Sequence, residues 1–222
     1  MKENSRPMML MSMRVTEEMS YVEKRSALAY EYIEYFESLG FSPILVPSNT
    51  KHVEQYLSLD FHAIVLTGGN TVNTEKGLDG SHASKLAGVY EERDEIERQL
   101  IDGALAKDKP LLGICRGMQF INAYYAGTGV NELNGHVGTQ HQLISKHTVF
   151  SKQTVNSYHN DGLVEDGLST QLELLACTED GVVEAFRHAN CKILGLQWHP
   201  ERAPQQFDQN LITTFLNSGK II

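Results

Sequence analysis

Short apolar runs alternate with longer amphipathic stretches through the first half of the chain. Met8 to Met13 predicts a strand. Glu23 to Leu39 predicts a helix, with Leu28, Tyr32, Phe36 and Leu39 on one stripe and Gly40 as its cap. Pro43 to Val46 reads as a second strand. Ala63-Ile64-Val65-Leu66 reads as a third, a continuous apolar run of the kind buried on both faces. Tyr90 to Lys107 predicts a helix whose inward stripe holds Arg93, Ile96, Leu100 and Ala104. Pro110 to Ile114 is a fourth strand and Met118 to Tyr125 starts another helix. This alternation predicts an α/β fold with a parallel sheet and helices on both faces.

From Val137 onward the runs are shorter and closer, as in antiparallel strands: Thr148 to Phe150, Leu172 to Cys177, Val182 to Phe186 and Lys192 to Trp198. A helix over Gln206 to Leu216 closes the chain. Asn70 to Ser84 has neither period and reads as a functional loop or a surface insertion. No repeat or linker divides the chain, so residues 1–222 are expected to form a single domain; 222 residues suffice for one full core.

Composition narrows the partners. The chain has 28 acidic and 19 basic residues, a formal net charge of -9, which argues against nucleic acid and against an anionic membrane surface. Three cysteines, Cys115, Cys177 and Cys191, make no disulfide framework and point to a reducing compartment. The run Pro7 to Met13 is short for a signal-peptide core and reads better as a buried strand, so a cytoplasmic protein is expected.

The sharpest chemical signal is Gly113-Ile114-Cys115-Arg116-Gly117-Met118-Gln119, directly after an apolar strand and opening a helix. A Gly-x-Cys-x-Gly turn of this kind pushes its central side chain out at the carboxyl end of the sheet. There the helix N-terminus favours a thiolate. A cysteine nucleophile needs a base, and the base an orienter. Gln197-Trp198-His199-Pro200-Glu201 offers both, with Pro200 stiffening the pair. Cys115, His199 and Glu201 are thus expected as nucleophile, base and orienter.

Together these two motifs resemble the class I, triad-type glutamine amidotransferases, over about Met8 to Leu216. The resemblance implies a flavodoxin-like three-layer fold with an antiparallel C-terminal extension. It also implies cleavage of a γ-glutamyl amide through a glutamyl thioester on cysteine, with no cofactor and no metal. It assigns Leu66-Thr67-Gly68-Gly69-Asn70 to the oxyanion loop, with the amides of Gly69 and Arg116 as donors. It assigns Gln119 and the Val155 to Asn160 stretch, including Ser157, Tyr158, His159 and Asn160, to the glutamyl group.

Arg116 after the cysteine, where synthase glutaminases usually carry an apolar residue, resembles the γ-glutamyl hydrolase branch that includes γ-glutamyl-γ-aminobutyrate hydrolase. The stretches Ser12 to Val15, Tyr21 to Ala29 and Gly40 to Pro47 are similar to a subgroup found with bacterial surface-polysaccharide genes, one activity of which is γ-glutamyl-CDP-amidate hydrolysis in capsule phosphoramidate synthesis. That resemblance implies a small γ-glutamyl substrate with a nucleotide-linked leaving group, met by Arg14, Arg116, Arg187 or Arg202. A glutaminase subunit feeding ammonia to a separate synthase and a γ-glutamyl-γ-aminobutyrate-type hydrolase stay open as alternatives, as does the oligomeric state. A non-catalytic binding protein is opposed by the complete Cys115, His199 and Glu201 set. His136, His141 and His147 form a histidine-rich stretch without metal-type spacing, so no metal is expected.

Overall fold

The fold is taken from a computed structural model, which describes residues 5–72 and 88–221. In chain order its elements are β1 (Met8–Ser12), β2 (Arg14–Glu18), β3 (Glu23–Ala27), α1 (Tyr30–Ser38), β4 (Ser42–Val46), α2 (Val53–Leu57), β5 (Phe61–Leu66), α3 (Glu91–Ala106), β6 (Leu111–Ile114), α4 (Arg116–Tyr124), β7 (Val137–Gln142), β8 (Thr154–Tyr158), β9 (Leu172–Cys177), β10 (Val183–His188), β11 (Ile193–Leu196) and α5 (Gln206–Ser218). Seven strands form one sheet, in the order β4-β1-β5-β6-β11-β10-β9. Pairing is parallel from β4 to β11 and antiparallel at β10 and β9. The architecture is therefore α/β with a mostly parallel central sheet and an antiparallel C-terminal edge.

Both faces of the sheet are covered, so successive strand residues enter opposite cores. Met9 and Met11 of β1 join Tyr32 and Phe36 of α1 and Leu211, Ile212 and Phe215 of α5. Leu10, between them, joins Ile96 and Leu100 of α3 and Met118 and Ile121 of α4. No helix among the described residues is long and apolar enough to cross a membrane.

Three expectations need correction or limits. The helix expected from Glu23 starts only at Tyr30; Glu23–Ala27 is instead a strand paired with Arg14–Glu18 in a separate two-stranded ribbon. Thr148 to Phe150 is not a strand but part of a turn closed by the Phe150 amide on the His147 carbonyl, 3.1 Å. In that region the strands are β7 and β8, which pair with each other and stand apart from the main sheet. Of the loop expected over Asn70 to Ser84, residues 73–84 lie outside the described residues.

The connection from β6 to α4 is the tightest in the molecule's centre. A methyl group on Gly117 would sit 2.1 Å from the Leu66 carbonyl oxygen, and one on Gly113 would sit 2.7 Å from the Met118 amide nitrogen. Both obstacles are backbone, which cannot swing aside. Gly117→Ala is therefore expected to separate α4 from the end of β5 and destabilise the protein by about 1–3 kcal/mol, the usual cost of overpacking. Denaturant titration of the variant against the parent measures it; equal midpoints would show that this contact is slack.

Candidate active site

Three neighbouring parallel strands end together. Register pairs Leu66 of β5 with Gly113 of β6, and Ile114 of β6 with Leu196 of β11. The segments that follow, Thr67–Asn70, Cys115 and Gln197–Glu201, therefore emerge side by side at the carboxyl edge, where open α/β sheets bind ligands. A hydrogen bond from the Cys115 amide to the Leu196 carbonyl, 2.7 Å, joins two of them directly.

Cys115 has φ 51° and ψ −110°, a conformation that L residues rarely hold. It is imposed by the requirement that β6 turn straight into α4. Burial opposes ionisation of the thiol. The charge and hydrogen bond of His199 outweigh that, helped by His159 and the Arg116 amide, and hold the thiol below its ordinary value. For His199, burial likewise opposes the charge, but Cys115 and then Glu201 hold the imidazole well above its usual range. Each group thus favours the charged form of the other.

His199 is fixed from two sides. Its Nδ1 lies 2.6 Å from Glu201 Oε1 in a buried contact. Its backbone amide donates to Asn156 Oδ1 at 2.8 Å, and Asn156 Nδ2 donates back to its carbonyl at 2.7 Å. Glu201 reaches the ring by a turn, with the Arg202 amide donating to the His199 carbonyl at 3.2 Å, rather than by extended alternation. Trp198 is anchored behind by its indole N–H on Asp208 Oδ1, 2.9 Å.

The Thr67–Asn70 loop rests on a buried guanidinium. Arg93 of α3 donates to the carbonyls of Thr67 and Gly69 and to Asn70 Oδ1, and its Nε donates to Glu97 Oε1 at 2.8 Å. The Gly68 amide donates to the Tyr32 hydroxyl at 2.9 Å. Glu97 also accepts from Ser12 and Arg116, and burial, which would raise its pKa, is outweighed by the two arginines. Glu97 is a site-building residue that motif reading passes over. Arg93 and Tyr32 show there only as members of helical stripes, and Asn156 only as part of the Val155 to Asn160 stretch expected around the glutamyl group, not as the support of His199.

A cavity of about 270 Å³ opens on Cys115 and His199. Of the residues expected around the glutamyl group, Gln119, Tyr158, His159 and Asn160 line it. Gln119 donates to the Asp161 carbonyl at 2.7 Å, and Tyr158 stands edge-on to the His199 ring, 5.9 Å between centroids. Ser157 does not line it: its hydroxyl donates to the His136 carbonyl at 2.6 Å, fully buried. Gly69 lines the cavity with Arg14 packed against it.

The four arginines divide. Arg14, Arg116 and Arg202 border the cavity, and Arg14 Nε has no hydrogen-bond partner among the described residues. The Arg116 guanidinium is buried on Glu97 and Asp94 and over the Phe120 ring, so its side chain cannot meet a phosphate. Arg187 is exposed on β10, paired with Glu173 at 2.7 Å, away from the cavity. Both are corrections to the expected phosphate contacts.

Comparison with known proteins gives a consistent picture. The family model described as Peptidase C26 matches residues 9–201. The chain is 33% identical over 186 residues to the γ-glutamyl-CDP-amidate hydrolase of Campylobacter jejuni, covering 82% of this chain and 84% of that protein. It is 30% identical over 216 residues to the glutamine amidotransferase-like protein YvdE of Lactococcus lactis, covering 87% and 89%. A glutamine amidotransferase structure from Thermotoga maritima shares the fold at TM-score 0.57 and 19% identity, over 88% of this chain and 76% of that one.

The charge coupling yields a direct measurement. Burial raises the thiols of Cys177 and Cys191, whereas Cys115 is lowered. Alkylation below the ordinary thiol value of about 8.5 should therefore modify Cys115 first. His199→Ala should abolish that lead, because the imidazolium that holds the thiolate is gone. Equal rates at the three cysteines, read by peptide mass spectrometry, would mean that the pair is not ionised.

Proposed function

The chain belongs to the Peptidase C26 family of glutamine amidotransferase-like hydrolases, and from that membership we propose that it hydrolyses a γ-glutamyl amide by covalent catalysis on Cys115. The observation that carries this reading is the buried chain of contacts from Glu201 to His199 to Cys115 at the mouth of one cavity. The Cys115 thiolate attacks the γ-carbonyl carbon, and the amides of Gly69 and Arg116 stabilise the oxyanion. As the C–N bond breaks, His199 gives its proton to the departing amine, leaving a glutamyl thioester. His199 then takes a proton from water as that water attacks the thioester; glutamate leaves and the thiolate returns. Glu201 orients the ring and stabilises its charge. Gln119 and the Tyr158 to Asn160 segment hold the glutamyl end.

The reading sets the leaving amine against Arg14 and Arg202, which border the cavity, with Arg202 4.5 Å above the Tyr158 ring. Two guanidiniums beside an aromatic face suit an anionic, nucleotide-linked amine, and the reading favoured here is a γ-glutamyl phosphoramidate such as γ-glutamyl-CDP-amidate. The similarity to the Campylobacter enzyme supports this leaving group. A reducing, cytoplasmic setting fits a chemistry that needs a free thiol.

Three substitutions test the chemistry. Cys115→Ala should abolish turnover with the thermal transition unchanged. His199→Ala should lower kcat by orders of magnitude, and Glu201→Gln should be milder, since a carboxylate that only orients the ring transfers no proton. Retained activity in Cys115→Ala would end the mechanism.

The leaving group is tested by kcat/KM for glutamine, γ-glutamyl-γ-aminobutyrate and a γ-glutamyl phosphoramidate, with released glutamate as the readout. The phosphoramidate should be preferred, and Arg14→Gln should cut that preference tenfold or more while sparing glutamine, as loss of a charged hydrogen bond of about 1.5–3 kcal/mol implies. Rising salt should weaken it in the same direction. If glutamine is the best of the three, a glutaminase subunit serving a separate synthase replaces the free-standing hydrolase.

A further inference from the structure

Beside the cavity lies a second group of polar side chains; His159 also lines the cavity, whereas His136 and Glu184 have no role in the chemistry above. His136, His159 and Glu184 are all buried, and one donor atom from each lies within 4.8 Å of the others. They come from three separate segments: the residue before β7, the residue after β8, and β10. His159 Nε2 stands 3.8 Å from Glu184 Oε1, and the two imidazole centroids are 4.9 Å apart. His136 Nδ1, His159 Nε2 and both Glu184 oxygens have no hydrogen-bond partner among the described residues.

The outer nitrogens of the two rings settle which atoms carry protons. His159 Nδ1 lies 3.0 Å from the Asp161 carbonyl, which can only accept. His136 Nε2 lies 3.0 Å from Asp180 Oδ2, a carboxylate on the surface. Both outer nitrogens therefore bear hydrogen, which leaves the inner nitrogens, His136 Nδ1 and His159 Nε2, as the atoms that can offer a lone pair to the space between them. Two imidazole lone pairs and a carboxylate then converge on one buried spot. Lone pairs repel, and a buried carboxylate without a donor is costly. A positive charge between them, from a bound cation or a proton on a ring, relieves both costs.

We infer that this spot is a binding site for a divalent transition-metal ion of the zinc class, held by His136 Nδ1, His159 Nε2 and Glu184. Two imidazoles and one carboxylate are a donor set that zinc takes with a fourth, non-protein ligand. The outer hydrogen bonds to a carboxylate and a backbone carbonyl are the supports that metal-bound histidines use to fix their tautomer. Donor atoms around a tetrahedral zinc lie roughly 3.3 Å apart, so modest side-chain rotation closes the set. The sequence spacing of His136, His141 and His147 gave no hint of this, because two of the three donors lie far along the chain. The ion would tie β10 to the segment that lines the catalytic cavity through His159, whose amide and whose neighbour Ser157 both donate to the His136 carbonyl.

The test uses full-length Cys115→Ser protein, so that the thiol cannot capture metal. It is stripped with chelator, loaded with zinc or cobalt(II), freed of excess and analysed by mass spectrometry for metal. One equivalent per chain is expected, with visible ligand-field absorption for the cobalt form. Adding Glu184→Gln should abolish both signals. Asp180→Asn, a surface change that leaves the core intact, should weaken zinc binding 10–100-fold through the His136 tautomer. A stripped and reloaded Cys115→Ser protein holding less than about a tenth of an equivalent would overturn the inference and leave a proton as the occupant. So would metal that persists undiminished in both added variants.

Discussion

The loop after β5, and through Glu97 the helix that follows Cys115, rest on one buried guanidinium. Arg93 is completely shielded from solvent, yet its side chain gathers the Thr67 and Gly69 carbonyls, Asn70 and Glu97. A charge there is tolerable only because it is balanced. Arg93 and Arg116 face Glu97 and Asp94, so two positive and two negative groups form a neutral quartet between α3, α4 and the loop after β5. Removing one member of such a set strands its partners in the interior, which typically costs about 3–5 kcal/mol. The loop's shape is thus set by a costly buried ionic contact, not by the weak preferences of two glycines.

The same edge is aligned by strand register. Because β5, β6 and β11 are adjacent and parallel, three loops distant in sequence emerge at one height. Register alone fixes backbone height, not side-chain direction. That is added by the strained turn at Cys115 and by the paired hydrogen bonds of Asn156 to the His199 backbone. Asn156 belongs to β8, outside the main sheet, so the small β7–β8 ribbon positions the imidazole as well as flanking the cavity.

What was legible in the sequence follows from where free energy is written. Runs such as Ala63 to Leu66 are buried on both faces and can be nothing but apolar, so the parallel strands could be placed. The glycines of the Cys115 turn were legible because a methyl group there would strike backbone. The β2–β3 ribbon was hidden for the opposite reason. Its strands are half-exposed and charged, with Glu17 opposite Lys24, and Glu23 to Ala27 has no buried face to imprint a period. The helical stripe from Leu28 onward was then extended backward over it. Arg116 misled in a different way: a guanidinium beside a nucleophile looks available to substrate, and only the position of α3 shows that it is already engaged.

That engagement changes how selectivity can arise. Arg116 and Arg93 are held in the interior, so neither can respond to a leaving group without unbalancing the quartet. Arg14 and Arg202 stand on other supports: Arg14 starts the β2–β3 ribbon, and Arg202 sits beyond the His199 turn, 40% exposed by its side chain. Neither carries the core. Exposed or unpartnered guanidiniums contribute little to folding, so these two positions can vary with the leaving group while the quartet, the strained cysteine and the register stay fixed. On the proposed function, a fixed apparatus of Cys115, His199 and the quartet would then stand apart from a rim at Arg14 and Arg202 that can change with the leaving group.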